Sequence, residues 1–443
     1  MSSSPATRWS SRFGGGLAGG ALLLALFGWL ATGTLAMYAV VSSIAVFWPP
    51  CGYLVNTDHG HFVATFLMLE GAPRASWEWS VVLRRTLYPL LAWPWMRALG
   101  FELGGILFNF VLTAAAAAGF AVFLRRRVGE GGALAALLLL AVHPGLHYWI
   151  GLPYSYAAIV PACLAAGAIL WRLEETARAG EALLLSLALG VTFLAYDLWP
   201  FFLPAAAALL WLRFRRVPVL LAGLALAAAP TVINLWVLAR AFDLPLSNPN
   251  TDVYATVVRA WLAPRDLAAW GGLLARAPLV LVQNLFASTF FFLPALFLAT
   301  WLGWAWRRGH RLLTWERAVL LAALAVWLFN NLAPPYPGKW QMRGTWIARL
   351  YQPVLVVYLS ALARWLPALW EAPARRRWAG SALGLTLAAS AAVMIGPFTW
   401  PIVTSRLSGA FYWHDPPEVM VENLRALGTR PLGFCAPPRR GRP

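Results

Sequence analysis

Lysine occurs once in this chain, at Lys339, and aspartate and glutamate together number only 17 in 443 residues. Charged residues amount to 12%, where a soluble domain carries about 25%. Hydrophobic residues make up 60%, and mean hydropathy is +0.64. No single soluble core hides that much apolar surface, so the shortage of charge excludes a soluble protein and implies an integral membrane one. Cysteine is scarce as well: Cys51, Cys163 and Cys435. With no CxxC pair and no Cys/His ligand spacing, the sequence argues against zinc. An internal repeat is lacking, and so is any low-complexity tract beyond alanine-rich apolar stretches, where alanine favours close helix packing.

The net charge of +18 is the one feature that points to nucleic acid. The placement of the arginines rejects it. They stand in short clusters between apolar segments, the pattern of loops held on the cytoplasmic side of a membrane. The 26 tryptophans suit side chains at membrane–water boundaries.

A spanning helix needs about 20 apolar residues. About eleven such segments can be placed, at 18–46, 101–124, 132–150, 152–171, 182–196, 199–212, 217–240, 277–305, 317–333, 350–369 and 378–402. The first is too long for a signal-peptide core and has no clear cleavage site, so it reads as a retained signal anchor. Arg8 and Arg12 precede it; Arg125–Arg127, Arg172 and Arg178, Arg213 with Arg215 and Arg216, Arg307 with Arg308 and Arg311, and Arg375–Arg377 follow every second segment. All fall on one side if the N-terminus is cytoplasmic. That alternation requires two helices within 182–212, where Asp197 and Pro200 in "AYDLWPFF" (195–202) break the apolar run. The expected fold is therefore an all-α, polytopic transmembrane bundle over residues 1–402. It carries a long first external loop (47–100) with interfacial helices, and a short external tail (403–443). Cys51 and Cys435 share the external side, which leaves a disulfide between them open.

The first external loop is the most informative. "YLVNTDHGHFVATFLMLEG" (53–71) sets Asp58 at the head of a stretch too short to span. Phe62, Val63, Phe66, Leu67 and Leu69 lie near one face at helical spacing, as in a helix lying on a membrane. Asp before such a run is first of all a helix N-cap. A carboxylate there can also serve as a general base, and the two roles are compatible.

The run "NTDHGHFVATFLMLEGAP" (56–73), followed by "RRTLYPLLAWPWMRALGFELGGILFNFVLTAAAAAGFAVFLRRR" (84–127), resembles the first loop and second helix of the GT-C superfamily. These polytopic glycosyltransferases use polyprenyl-phosphate sugars and include the protein O-mannosyltransferase and aminoarabinose transferase branches. The resemblance rests on the Asp after the first helix, the short helix ending in Glu70-Gly71, the Tyr88-Pro89 pair, Asn109 and the closing arginines. It also rests on "RGTWIARLYQPVLVVYLSALAR" (343–364), which enters a late helix through Arg349, Tyr351 and Pro353.

The resemblance implies that Asp58 is the catalytic carboxylate, with the chemistry on the external face of a bacterial inner membrane. The donor would be a polyprenyl-phosphate sugar, and the acceptor an envelope lipid, glycan or protein. Where family members carry a second acid, this chain has His59. With His61 it offers a metal set, but polar loop residues without a metal or other cofactor are the favoured reading. The second external loop, "HPGLHYWIGLPYSY" (143–156), holds Tyr154 and Tyr156 but no carboxylate.

A lipid phosphate needs cationic donors at the outer surface. Lys339, Arg343 and Arg349 stand in a short loop that the charge rule would leave poor in cations, and Arg84 and Arg85 are second candidates. Lipid headgroup contact without catalysis is the alternative for each. Tyr88, Tyr351 and Asp197 complete the candidates, Asp197 either as a helix cap or as part of the site. A transporter or flippase would place ionisable groups deep in broken, repeated helices. A non-catalytic scaffold would need none of these residues.

Overall fold

The computed structural model describes residues 85–141, 155–243, 309–332 and 352–370, together with positions 65, 68–71, 262, 267, 268, 271, 275, 278, 303, 307 and 381. Among these residues all regular structure is helical. The helices are α1 (Leu87–Leu99), α2 (Phe101–Val128), α3 (Glu130–Ala141), α4 (Ile159–Glu175, entered through a 3-10 turn at Ser155–Ala158), α5 (Ala179–Phe193), α6 (Trp199–Phe214), α7 (Val217–Ala241), α8 (Thr314–Leu332) and α9 (Gln352–Trp370).

Helices α2 and α5 to α9 fall on the expected segments to within a few residues; α4 becomes regular only after its 3-10 turn, and α3 covers the first part of 132–150, the rest of which lies outside the described residues. The expected break within 182–212 is a turn over 194–198 between α5 and α6, with Pro200 in the first turn of α6, where its missing N–H costs nothing. The segments expected at 18–46, 277–305 and 378–402, and the cysteines Cys51 and Cys435, lie outside the continuously described residues.

Among the described residues, three helices are long and apolar enough to cross a membrane: Gly104–Val128, Tyr156–Glu175 and Val217–Ala241. The 25-residue pair run ~37 Å, against a hydrocarbon thickness of ~30 Å. The fold is consistent with a membrane protein. On α7, Leu221, Val232, Ile233 and Trp236 are exposed, whereas α4 is buried on nearly all sides. It packs against α2, α5, α6, α8 and α9 and forms the centre of the bundle.

Most of the ion pairs among the described residues gather at one end. Arg127, closing α2, clamps Glu175, closing α4, through Nε at 2.9 Å and Nη2 at 2.6 Å. Arg172 donates to Glu181 at the start of α5 at 2.8 Å, and Arg213 Nε donates to the Thr176 carbonyl at 2.9 Å. Glu174 accepts the backbone N–H groups of Thr314 and Trp315, both at 2.9 Å, and so caps α8. Glu316 is fully buried between Arg364 and Ser360 of α9, the latter at 2.6 Å. This end brings together Arg127, Arg172, Arg213 and Arg311, from four of the basic connections, as the alternation required; Arg375–Arg377 lie outside the described residues.

Short residues let the helices approach. A Cβ on Gly190 in α5 would stand 2.3 Å from the Ala227 carbonyl oxygen in α7, whereas one on Gly180 meets nothing within 4 Å. Gly190→Ala is therefore expected to destabilise by about 1–3 kcal/mol through forced separation of α5 from α7. Gly180→Ala should change little, and thermal unfolding of the two variants in detergent compares them directly.

Candidate functional site

At the end opposite the arginines, the chain enters the bundle just ahead of α1, and each entering residue is fixed to a different element. Arg85 donates Nε (3.1 Å) and Nη2 (3.0 Å) to Oδ2 of Asp197, in the turn between α5 and α6. Thr86 bonds Asn234 of α7 at 2.7 Å, and the Leu87 N–H reaches the Leu194 carbonyl at 3.2 Å. Tyr88 donates its hydroxyl to Asn109 of α2, with both residues buried. Burial pushes the Tyr88 phenol well above its usual range, and the bond to Asn109 offsets this only in part. Burial thus favours the neutral phenol, in keeping with its donation to Asn109.

Aromatic rings surround the ion pair. The Arg85 guanidinium lies 4.1 Å from the Tyr196 ring centre and 5.9 Å from that of Tyr156. The two tyrosines meet edge to face at 5.6 Å. Tyr156 and Tyr196 are buried, while Trp199, the first residue of α6, is exposed. Arg85 keeps 20% of its side-chain surface and Asp197 keeps 7%. A charge pair this desolvated holds only when geometry and hydrogen bonds are good, and here one carboxylate oxygen takes both guanidinium bonds.

After the Tyr88 ring, α1 folds back on α2. Gly100, at φ +87°, makes the turn, and a Cβ on Gly104 would stand 2.2 Å from the Trp95 carbonyl oxygen. Farther up the chain, positions 65, 68 and 69 are helical, and the Gly71 N–H closes the helix end on Met68 O at 3.1 Å, with φ +72° at Gly71. Trp93 Nε1 of α1 donates to Glu70 at that end. Thr65 and Met68 are buried there and Leu69 is half-buried. Phe62, Val63, Phe66 and Leu67, expected on the buried face, lie outside the described residues.

Four of the candidates from the sequence therefore come together: Arg85, Asp197 and Tyr156 directly, and Tyr88 one helical turn away. Asp197 is not a side-chain cap of α6, whose N-cap, Leu198, makes no side-chain hydrogen bond. Asp58, His59, His61, Arg84, Tyr154, Lys339, Arg343, Arg349 and Tyr351 lie outside the described residues. Sequence reasoning missed Tyr196 and Asn234. Asn234 is the one amide side chain in a largely apolar 25-residue helix, a signal that could have found it. No group of three His, Cys, Asp or Glu side chains able to hold a metal is present among the described residues. No protein-family model, curated protein or solved structure matches this chain.

Proposed function

We propose that the protein is a polytopic membrane glycosyltransferase of about eleven spans. It moves a sugar from a polyprenyl-phosphate donor to an envelope lipid, glycan or protein, with its N-terminus and arginine end in the cytoplasm of a bacterium. The resemblance of 56–127 to GT-C enzymes names the chemistry. The observation that carries the reading is the Arg85–Asp197–Tyr156–Tyr196 cluster. It lies at the end that the arginine rule leaves external, where the long first loop re-enters the bundle.

Asp58 is the proposed base, taking a proton from the acceptor as the sugar leaves its phosphate with inversion. Lys339, Arg343 and Arg349, with Arg84, would neutralise the phosphate. Arg85 reaches a phosphate only together with the carboxylate already on it, so its main contribution is to hold the loop end. A carrier lipid keeps the donor in the membrane while the acceptor arrives from outside, which favours a site at this end.

The test uses purified protein in proteoliposomes, a panel of polyprenyl-phosphate sugars and an envelope extract as acceptor source. Release of free polyprenyl phosphate from one donor, dependent on the extract, is the expected result. Vectorial movement of intact donor across the bilayer without release would replace this reading with a flippase.

A further inference from the structure

We infer that the connection between α6 and α7 is a binding surface for an anionic phospholipid. The lipid phosphate sits on Arg215 and Arg216, and the acyl chains lie along the exposed apolar residues on either side. The surface needs the membrane alone and stands apart from the transferase reading.

The connection is tight and strained. Only Arg215 and Arg216 join the two helices. Arg215 takes the left-handed conformation, at φ 49° and ψ 33°, and its N–H closes α6 on the Trp211 carbonyl at 2.9 Å. Glycine is the usual residue at a positive-φ helix end, because a Cβ is disfavoured there. The chain follows that rule at the ends of α1 and α2, with Gly100 and Gly129. At the end of α6 it holds arginine instead, and strain kept at one residue points to a use for its side chain.

No acid offsets these charges. Among the described residues, neither side chain makes an ion pair or a hydrogen bond, and the first turn of α7 has no acid and no side-chain cap. Nearby acids are committed elsewhere: Glu174 to the α8 amides, Glu175 to Arg127, Glu181 to Arg172 and Glu316 to Arg364. The dipole of α6 already has a partner in Arg213, in its last turn, so Arg215 and Arg216 are surplus to that role. Both are exposed. So are Trp211 and Leu212 just before them, and Val217 and Leu221 just after. Paired guanidinium groups match a phosphate, apolar flanks match acyl chains, and tryptophan suits the boundary between the two. A soluble anion would leave the flanks in water, and a second copy of this surface would bring the same positive charge.

The test follows thermal unfolding of full-length protein in a neutral detergent, titrated with phosphatidylglycerol or with phosphatidylcholine. Phosphatidylglycerol is expected to raise the unfolding temperature and phosphatidylcholine to change it little. In Arg215→Gln/Arg216→Gln the phosphatidylglycerol midpoint should rise about tenfold in concentration. In Arg125→Gln/Arg126→Gln, which removes two exposed charges from the same end, it should hold. Arg215→Gly keeps the test open if the double variant misfolds, because it relieves the backbone. It should unfold no earlier than wild type without lipid, yet respond more weakly to phosphatidylglycerol. Equal responses to the two lipids, or a midpoint indifferent to Arg215 and Arg216, overturn the inference. An equal loss in the Arg125/Arg126 variant does so too, because a diffuse field of all the arginines would then suffice. Soluble glycerol phosphate reproducing the whole rise overturns it in favour of a free-anion site. Donor release tests the transferase separately, so either reading can fall while the other stands.

Discussion

Glu316→Ala should lower the stability of the folded chain by about 3–5 kcal/mol. Total stabilities of folded proteins are only about 5–15 kcal/mol, so the loss is a large share. The Glu316 side chain is wholly buried, and its oxygens accept from Ser360 Oγ at 2.6 Å, the Leu313 N–H at 2.7 Å and Arg364 Nη2. Arg364 already leaves its Nε buried and without a hydrogen bond, and Nη1 reaches only the Arg311 carbonyl, at 3.2 Å. Truncating Glu316 would strand that guanidinium together with the Leu313 N–H just ahead of α8 and the buried Ser360 hydroxyl. Glu316→Gln keeps the shape and most hydrogen bonds, and about 1–3 kcal/mol is expected. A Glu316→Leu/Arg364→Met double variant should recover much of the loss, because an apolar pair needs no charge compensation. Denaturant titration of the three variants decides. If Glu316→Ala costs less than about 1 kcal/mol, the network between α8 and α9 is not a structural lock.

Asp58→Asn should reduce donor turnover by about 10²–10⁴-fold while leaving the unfolding temperature unchanged. General-base assistance contributes about that range, and an amide of the same shape retains an N-cap but does not take a proton. The N-cap role of Asp58 makes the opposite forecast. If capping were its whole contribution, Asp58→Asn would keep turnover, and Asp58→Ala would cost about 1 kcal/mol of stability. Running both substitutions side by side, with release of polyprenyl phosphate and unfolding as separate readouts, assigns the residue. Equal turnover by wild type and Asp58→Asn removes it as the essential base.

Much of the bundle could be read directly from local signals. Asp197 and Pro200 marked the break between α5 and α6 because each ends an apolar helical run for its own chemical reason. The arginine clusters marked one end of the bundle because charge is excluded from its middle. What the residues at the other end do to each other was not legible. Arg85 and Asp197 are 112 residues apart, and Thr86 and Asn234 are 148 apart. No periodicity connects positions at such separations. Asp197 had two readings, cap or site, because an acid ahead of a helix looks the same in sequence whether it bonds its own helix or a distant arginine. Glu316 shows the converse. It sits in the first turn of an apolar helix, as a helix-dipole partner would, and its bond to Leu313 N is that local role. Its burial against α9 comes from tertiary packing alone.

The cap that Glu174 places on α8 also bears on how the chain is made. Glu174 emerges from the ribosome 140 residues before the amides it receives, and α9, which also packs on α4, follows α8. Through that interval the helix destined for the centre has two of its neighbours still unmade, and its apolar faces lack the partners that bury them. The surroundings of that central helix are complete only once α8 and α9 have been made, so the first half of the chain does not by itself supply all of its packing partners.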